Sequence, residues 1–314
     1  MDFPSCPARP GLAVALLCAW TLLAAAPTAR AWNQAGHLLT ASVAYDQLTP
    51  AQRAAALKVL EASPDHARWL AAAPKDLTGD DAGRHVFMQA ARWPDDIRKT
   101  GSPYDHPTWH YVDYPLRPPD FPLEAPPVGA EDVFFAWTKC EATLADPAAS
   151  ATDRAVSLCW LLHLIGDIHQ PLHACTLVTA EYPPPAGDKG GNNFFVNLAG
   201  NSLSLHTYWD ALAATMLDSP EIIARAEELA KRYPRAALPE LAAATDLRGW
   251  ALESRQLGVD AVYRRGTLPG NRDRDGAVPP SLPGDYASKA RALAERRVVL
   301  AGYRIADTLA RLKL

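Results

Sequence analysis

The stretch LLHLIGDIHQPLH, residues 161–173, holds the side chains best suited to chemistry. His163 and Asp167 stand four residues apart, so a helix places both on one face. Pro171 ends that helix, and His173 follows in the turn. Further on, LHTYWD repeats the device with His206 and Asp210, again four apart. One such pair is a weak signal, because a lone buried histidine is more often a core residue with a hydrogen-bond partner. Two pairs and a third histidine point to a site built from imidazole and carboxylate. That donor set suits zinc.

The apolar run AVSLCWLLHLIGDIH reads as a buried helix over residues 151–170. Polar groups on such a helix need partners. A second helix restarts near Ser204 and carries His206 and Asp210. Other amphipathic segments are expected from His37 onward and over 50–62, 85–98, 131–145, 219–232, 238–264 and 286–312. The 85–98 segment should break at Pro94, and an Asp pair after a break, here Asp95 and Asp96, is ordinarily an N-cap. Arg98 stands three residues on from Asp95. Residues 108–115, TWHYVDYP, alternate as a short extended segment and carry His110 and Asp113. Residues 182–198 read as a loop leading into a hairpin. Its Asn192 and Asn193 could donate to a phosphate or a base, although turn formation is the commoner use. The charges on 286–312 read as a solvated face. No βαβ alternation and no phosphate-binding glycine motif occurs, so the expected class is all-α with one small β-hairpin.

Composition bounds the function. The chain is 48% hydrophobic and 21% charged, which is ordinary globular usage. Arg9, the run LAVALLCAWTLLAAA and ARA before Trp32 read as a signal peptide over residues 1–31. Export is therefore expected, to a periplasm or the exterior, with residues 32–314 as one domain. The apolar run within residues 1–31 is short for a membrane span, and no later stretch is apolar enough to cross a membrane either. The formal net charge is −4, and losing Asp2, Arg9 and Arg30 makes it one unit more negative. That excludes a stoichiometric nucleic-acid binder working through a basic face. A phosphate substrate would need local positive charge, and metal ions are the obvious source. The three remaining cysteines, Cys140, Cys159 and Cys175, exclude a dense disulfide scaffold. They allow one bridge and a free thiol, or three small buried hydrophobes. On residue type alone Trp32 reads as a frayed terminus, although a deprotonated α-amine is a competent metal ligand.

Six pieces then occur in order: W-N-x-x-G-H from Trp32, W-P-D from Trp93, W-H-Y-V-D from Trp109, H-L-I-G-D-I-H-Q-P-L-H from His163, G-G-N-N from Gly190 and L-H-x-x-W-D from Leu205. Together they resemble the secreted zinc-dependent nucleases, which include fungal single-strand-specific and plant bifunctional nucleases. The set is more distantly similar to zinc-dependent phospholipase C. The resemblance runs from Trp32 to the last helix. It implies a helical bundle of the phospholipase C and single-strand nuclease type with three zinc ions at the bottom of a cleft. It also implies cleavage of single-stranded DNA and RNA to 5′-nucleotides, and 3′-nucleotidase activity.

By the same resemblance, one ion is held by Asp95, His110, His163 and Asp167, and a second by His173, His206 and Asp210. The third is held by the amine and carbonyl of Trp32 with His37, and Asp167 bridges it to the first. The resemblance thus overrides the N-cap reading of Asp95 and the terminus reading of Trp32. Ions bridged in this way would lower the pKa of bound water and aim the resulting hydroxide at phosphorus. Arg98 stands where the family has a basic residue, often Lys, that stabilises the phosphoryl transition state. Tyr111 stands where an aromatic ring stacks on the nucleobase, which tolerates any base. Asp113 stands where a carboxylate meets a base edge, and Asn192 where an amide lies near the nucleotide. His169 falls off the ligand face and is not expected to bind metal.

The chain also departs from the family. Three cysteines do not reproduce the disulfides of the fungal and plant members, and the loops at 115–130 and 182–191 are proline-rich. A phospholipase C-like phosphodiesterase and a non-catalytic zinc-binding protein are the competing readings. Tyr111 and Asp113 favour a base over a lipid head group, and a storage protein would not need Arg98 or Asn192. No stable protein partner and no membrane is implied.

Overall fold

The computed structural model describes residues 32–117, 131–215, 218–272 and 278–313. The expected signal peptide, most of the proline-rich loop at 115–130 and residues 273–277 lie outside the described residues. Within them the chain forms eleven α-helices and two small sheets. The helices are α1 (Gln34–Gln47), α2 (Pro50–Leu60), α3 (His66–Ala72), α4 (Asp80–Asp96), α5 (Val133–Ala145), α6 (Ala151–Ile168), α7 (Leu205–Asp210), α8 (Ser219–Arg232), α9 (Glu240–Ala243), α10 (Leu247–Leu257) and α11 (Tyr286–Leu312). Strands β1 (Pro115–Leu116) and β2 (Thr176–Leu177) pair in parallel, and β3 (Phe195–Leu198) and β4 (Asn201–Ser204) form the expected antiparallel hairpin. The all-α reading holds.

Two helices are enclosed on every side. In α6 every residue from Ala155 to Ile168 is buried, and in α1 every residue from Ala35 to Tyr45 is buried. A helix apolar around its whole circumference has to sit in the core. Polar caps fix where each begins: Asn33 accepts from Gly36 N, and Ser150 accepts from Asp153 N. Helices α4, α8 and α11 pack around α1, while α4 and α5 pack on α6. Gly166 lets the two enclosed helices meet, because a Cβ there would stand 2.9 Å from His37 Nδ1.

Three local expectations change. Helix α4 runs through Pro94 and ends at Asp96, so Asp95 lies in its last turn and is not an N-cap. The proline removes one ladder donor only two residues before the helix stops, where few later bonds depend on it. The 238–264 segment divides into α9, α10 and a π turn over Gly258–Val262. The long helix α11 has the expected bounds, but not all its charge is solvated: Glu295, Arg297 and Arg304 are buried. Cys140, Cys159 and Cys175 are buried and free, which selects the small-hydrophobe reading.

Candidate metal centre

Helices α1, α4, α6 and α7 and the turns after Trp109 and Ile168 deliver His and Asp side chains to one buried place. Three groups there have donor atoms all within 4.8 Å of one another: His37, His163 and Asp167; Asp95, His110 and His163; and His173, His206 and Asp210. His163 Nε2 and His110 Nδ1 each lie 3.0 Å from Asp167 Oδ2, and His37 Nε2 lies 3.2 Å from its Oδ1. Asp95 faces the same group, with His37 Nε2 3.9 Å away and His163 Nε2 4.0 Å away. In the third group His173 Nε2 stands 3.2 Å from His206 Nε2, and His206 Nε2 3.6 Å from Asp210 Oδ2.

Backbone carbonyls orient three of the imidazoles. His163 Nδ1 donates to Ala91 O at 2.8 Å, His173 Nδ1 to His110 O at 2.8 Å, and His206 Nδ1 to Gly190 O at 2.6 Å. With the proton held on Nδ1, each Nε2 presents a lone pair to the cluster. The loop carrying Gly190 can come this close because Gly190 sits at φ +59°, and a Cβ would fall 2.6 Å from Leu172 O. On the carboxylate side, Gln170 Nε2 donates to Asp210 Oδ1 at 2.8 Å and leaves Oδ2 facing His206.

Many polar atoms here have no hydrogen-bond partner. They include both nitrogens of His37, both carboxylate oxygens of Asp95, His110 Nε2 and Asp167 Oδ1. Buried polar groups are ordinarily paired, so a concentration of orphans in one place needs an explanation. A cation gathered by these lone pairs supplies one, and the imidazole–carboxylate set fits zinc.

The electrostatics agree. Burial lowers the pKa of His37, His110 and His173, and burial with the neighbouring His173 lowers that of His206 to about 3. These imidazoles are therefore neutral near pH 7, the form that binds metal. Burial alone would raise Asp167, yet the imidazoles of His163, His173 and His110 outweigh it and hold the carboxyl well below its usual range. Burial also works against a charge on His163, but Asp167 and Asp95 raise its pKa. For Asp210 burial, with the charges of Asp95 and Asp167, outweighs the Gln170 hydrogen bond and the Arg98 charge and holds its pKa well above the usual carboxylate range.

Of the remaining expected residues, Arg98 adjoins this cluster, with Nη1 3.6 Å from Asp95 Oδ1. Tyr111 is 36% exposed, and burial with the charge of Asp113 raises its hydroxyl pKa. Asp113 is partly buried, and burial with the nearby Asp188 raises its pKa to about 6. Asn192 turns its Nδ2 back onto Lys189 O at 2.7 Å, a turn-forming contact. Trp32 is fully buried, and the next residue ties that end of the chain to the third group through Asn33 N donating to Asp210 O at 3.1 Å. His169 lies apart, with Nδ1 on Ile165 O and Nε2 accepting from Arg304.

Sequence reasoning missed the supports. Gln170 stood in plain view within H-Q-P-L-H, but its role depends on where Asp210 arrives. Arg297 Nε donates to His169 O, and Ser254 Oγ donates to Ile168 O, so α10 and α11 grip the end of α6 just past Asp167. No local pattern could have signalled these long-range contacts.

Comparison with known proteins adds an independent line. The chain is 25% identical over 205 residues to nuclease P1 of Penicillium citrinum, covering 64% of each chain. It is 26% identical over 141 residues to nuclease S1 of Aspergillus oryzae, covering 43% of this chain and 44% of that protein. With endonuclease 4 of Arabidopsis thaliana it shares 25% identity over 324 aligned residues, 90% of this chain and 89% of that one. The chain thus spans somewhat under two thirds of the length of nuclease P1 and under half of that of nuclease S1. The S1/P1 nuclease family matches residues 32–313. Since that match extends over nearly all the described chain, this protein belongs to the S1/P1 nuclease family.

Proposed function

We propose that this chain is an exported zinc-dependent phosphodiesterase, with residues 32–314 as its one catalytic domain. It hydrolyses single-stranded DNA and RNA to 5′-nucleotides and removes the 3′-phosphate of nucleotides. The observation that carries the reading is the cluster of buried, unpartnered His and Asp atoms, a donor set suited to divalent metal and hard to explain otherwise.

Asp95, His110, His163 and Asp167 would hold one zinc, and His173, His206 and Asp210 a second. His37 with Asp167 and the amine and carbonyl of Trp32 would hold a third. Bound zinc supplies Lewis acidity and water of lowered pKa. Around it, the Ala91, His110 and Gly190 carbonyls keep the Nδ1 protons and aim the Nε2 lone pairs inward. Arg98 offers permanent positive charge beside Asp95 for the oxygens of a phosphoryl group. The exposed Tyr111 ring gives a base a surface on which to stack, which does not select among bases. Asp113 accepts from a base edge, and Asn192 lies in the loop whose Gly190 carbonyl braces His206.

The reading is tested on protein whose first residue is Trp32. Close to three zinc ions per chain, cleavage of single-stranded DNA and phosphate release from a 3′-nucleotide are expected. One zinc or none would remove it. Hydrolysis of phosphatidylcholine in place of DNA would favour the phospholipase reading.

A further inference from the structure

A ladder of hydrogen bonds leads away from the metal-ligand cluster. Val112 N donates to His173 O at 2.9 Å, Thr176 N to Tyr114 O at 3.0 Å, and Val178 N to Leu116 O at 2.7 Å. The ladder starts at His173, an expected ligand, and at Val112, two positions beyond His110, and continues through β1 and β2. Val112 and Leu116 are four residue steps apart, of which only Pro115–Leu116 is strand, so they lie within about 13 Å of each other at about 3.3 Å per residue.

At its far end lies a groove of about 560 Å³. Its floor is apolar, with Leu116 and Leu177 from the two strands and Val259 from the π turn. Arg117, Arg255 and Arg265 also line it, and no acid does so among the described residues. Arg255 keeps one contact with the backbone, Nη2 to Pro115 O at 3.3 Å. Arg265 meets Asp260 at 2.8 Å and is 79% exposed along its side chain. The backbone that presents it is unusual. Arg264, Arg265 and Gly266 take φ of 48°, 57° and 82° in succession, and side-chain-bearing residues rarely adopt that left-handed region.

We propose that this groove is a second contact for single-stranded nucleic acid, outside the metal-ligand cluster. Its arginines take the phosphates and its apolar floor takes the bases. The inference rests on the nuclease reading and deepens it. Charge complementarity selects the occupant: the chain is acidic overall, and this is a local concentration of guanidinium groups over an apolar surface. Distance sets the reach. At about 3.4 Å per stacked nucleotide, that limit of about 13 Å is about four nucleotides. A ten-nucleotide strand is long enough for both places, whereas a dinucleotide has a single internucleotide phosphate and cannot serve both.

The test is binding, read by fluorescence anisotropy on the zinc-loaded chain beginning at Trp32. The probes are a ten-nucleotide phosphorothioate DNA strand and the corresponding dinucleotide, each over a salt series. The double variant Arg255→Ala, Arg265→Ala should bind the long strand about tenfold more weakly at low salt, with its salt slope reduced by about one or more. Dinucleotide affinity should stay within about twofold. Long-strand affinity and slope equal to the unsubstituted protein would overturn the proposal. Should the double variant fail to fold, Arg265→Glu on the exposed rim decides alone, since charge reversal there must weaken the long strand. If the unsubstituted protein binds neither probe, the nuclease reading itself fails and the groove falls with it.

Discussion

His163 Nε2 lies 2.9 Å from His110 Nδ1, and both nitrogens lie 3.0 Å from one oxygen of Asp167. Two imidazole nitrogens at that separation share at most one proton, and His163 already commits its Nδ1 proton to Ala91. Without metal, at most one proton between the two rings has to serve both nitrogens and the buried carboxylate. Chelation should lower the thermal midpoint by about 10 °C or more, because saturation a thousandfold above Kd contributes about 4 kcal/mol. Scanning calorimetry with and without chelator measures this, and an unchanged midpoint would argue that the protein carries no structural metal. Burial lowers most of the imidazole pKa values, so metal release on acidification should begin well below the ordinary histidine range near 6.5.

Gln170 holds the carboxylate of Asp210, an expected ligand, by a hydrogen bond from outside the cluster. Its Nε2 fixes Asp210 Oδ1, while its Oε1 accepts from Leu172 N at 2.6 Å. Gln170→Leu should weaken zinc at the His173, His206 and Asp210 group by about 10- to 100-fold, the usual cost of losing an outer hydrogen bond. Competition with a chromophoric chelator gives the number. Gln170→Glu should not rescue it, because a second carboxylate would face Asp210. Unchanged affinity in both variants would mean that Asp210 is oriented by its helix alone.

Asp113 is tuned in the opposite direction from a salt-bridged carboxylate. Burial and Asp188 raise its pKa to about 6, so the folded protein binds this proton more tightly than the unfolded chain does. Stability from this group is then present below about pH 3.8, falls as pH rises through about 6, and is absent above it. Asp113→Asn should stabilise the protein near pH 7 by on the order of 1 kcal/mol after allowing for partial exposure. It should also abolish any change in dinucleotide affinity centred near pH 6. Denaturant titrations and binding curves between pH 5 and 8 test both halves, and a destabilised variant would refute the assignment.

How far the sequence could be read depended on how local each cause was. Helix α11 begins and ends where its pattern says, and α6 was legible because a long apolar run has one place to go. Residue type alone read Asp95 as an N-cap because a proline usually signals a break, and here the helix ends only after it. The candidate site became readable only when His163, Asp167, His173, His206 and Asp210 were taken together. Arg297 and Arg304 were assigned to solvent because their partner, Glu253, lies on another helix more than forty positions away. The β1–β2 ladder joins segments about sixty residues apart and is two residues deep, too short to leave a periodic trace.

Arg304 shows what that misreading conceals. Its Nη1 meets Glu253 Oε2 at 2.7 Å and His169 Nε2 at 2.8 Å, and its Nη2 meets Glu253 Oε1 and the Glu240 carbonyl, each at 2.8 Å. The guanidinium joins α9, α10, α11 and the end of α6 in one buried place. Arg304→Met keeps the bulk of the stem but strands His169 Nε2, the Glu240 carbonyl and part of Glu253. Breaking one side of a buried ion pair costs about 3 kcal/mol or more, so the thermal midpoint should fall by about 6–12 °C. Arg304→Lys should recover little, since a single ammonium cannot serve those directions at once. The protein that remains folded should still take up zinc, because no atom of Arg304 touches a ligand side chain in the structure. Loss of metal at full stability would instead place Arg304 among the supports of the centre, alongside Gln170.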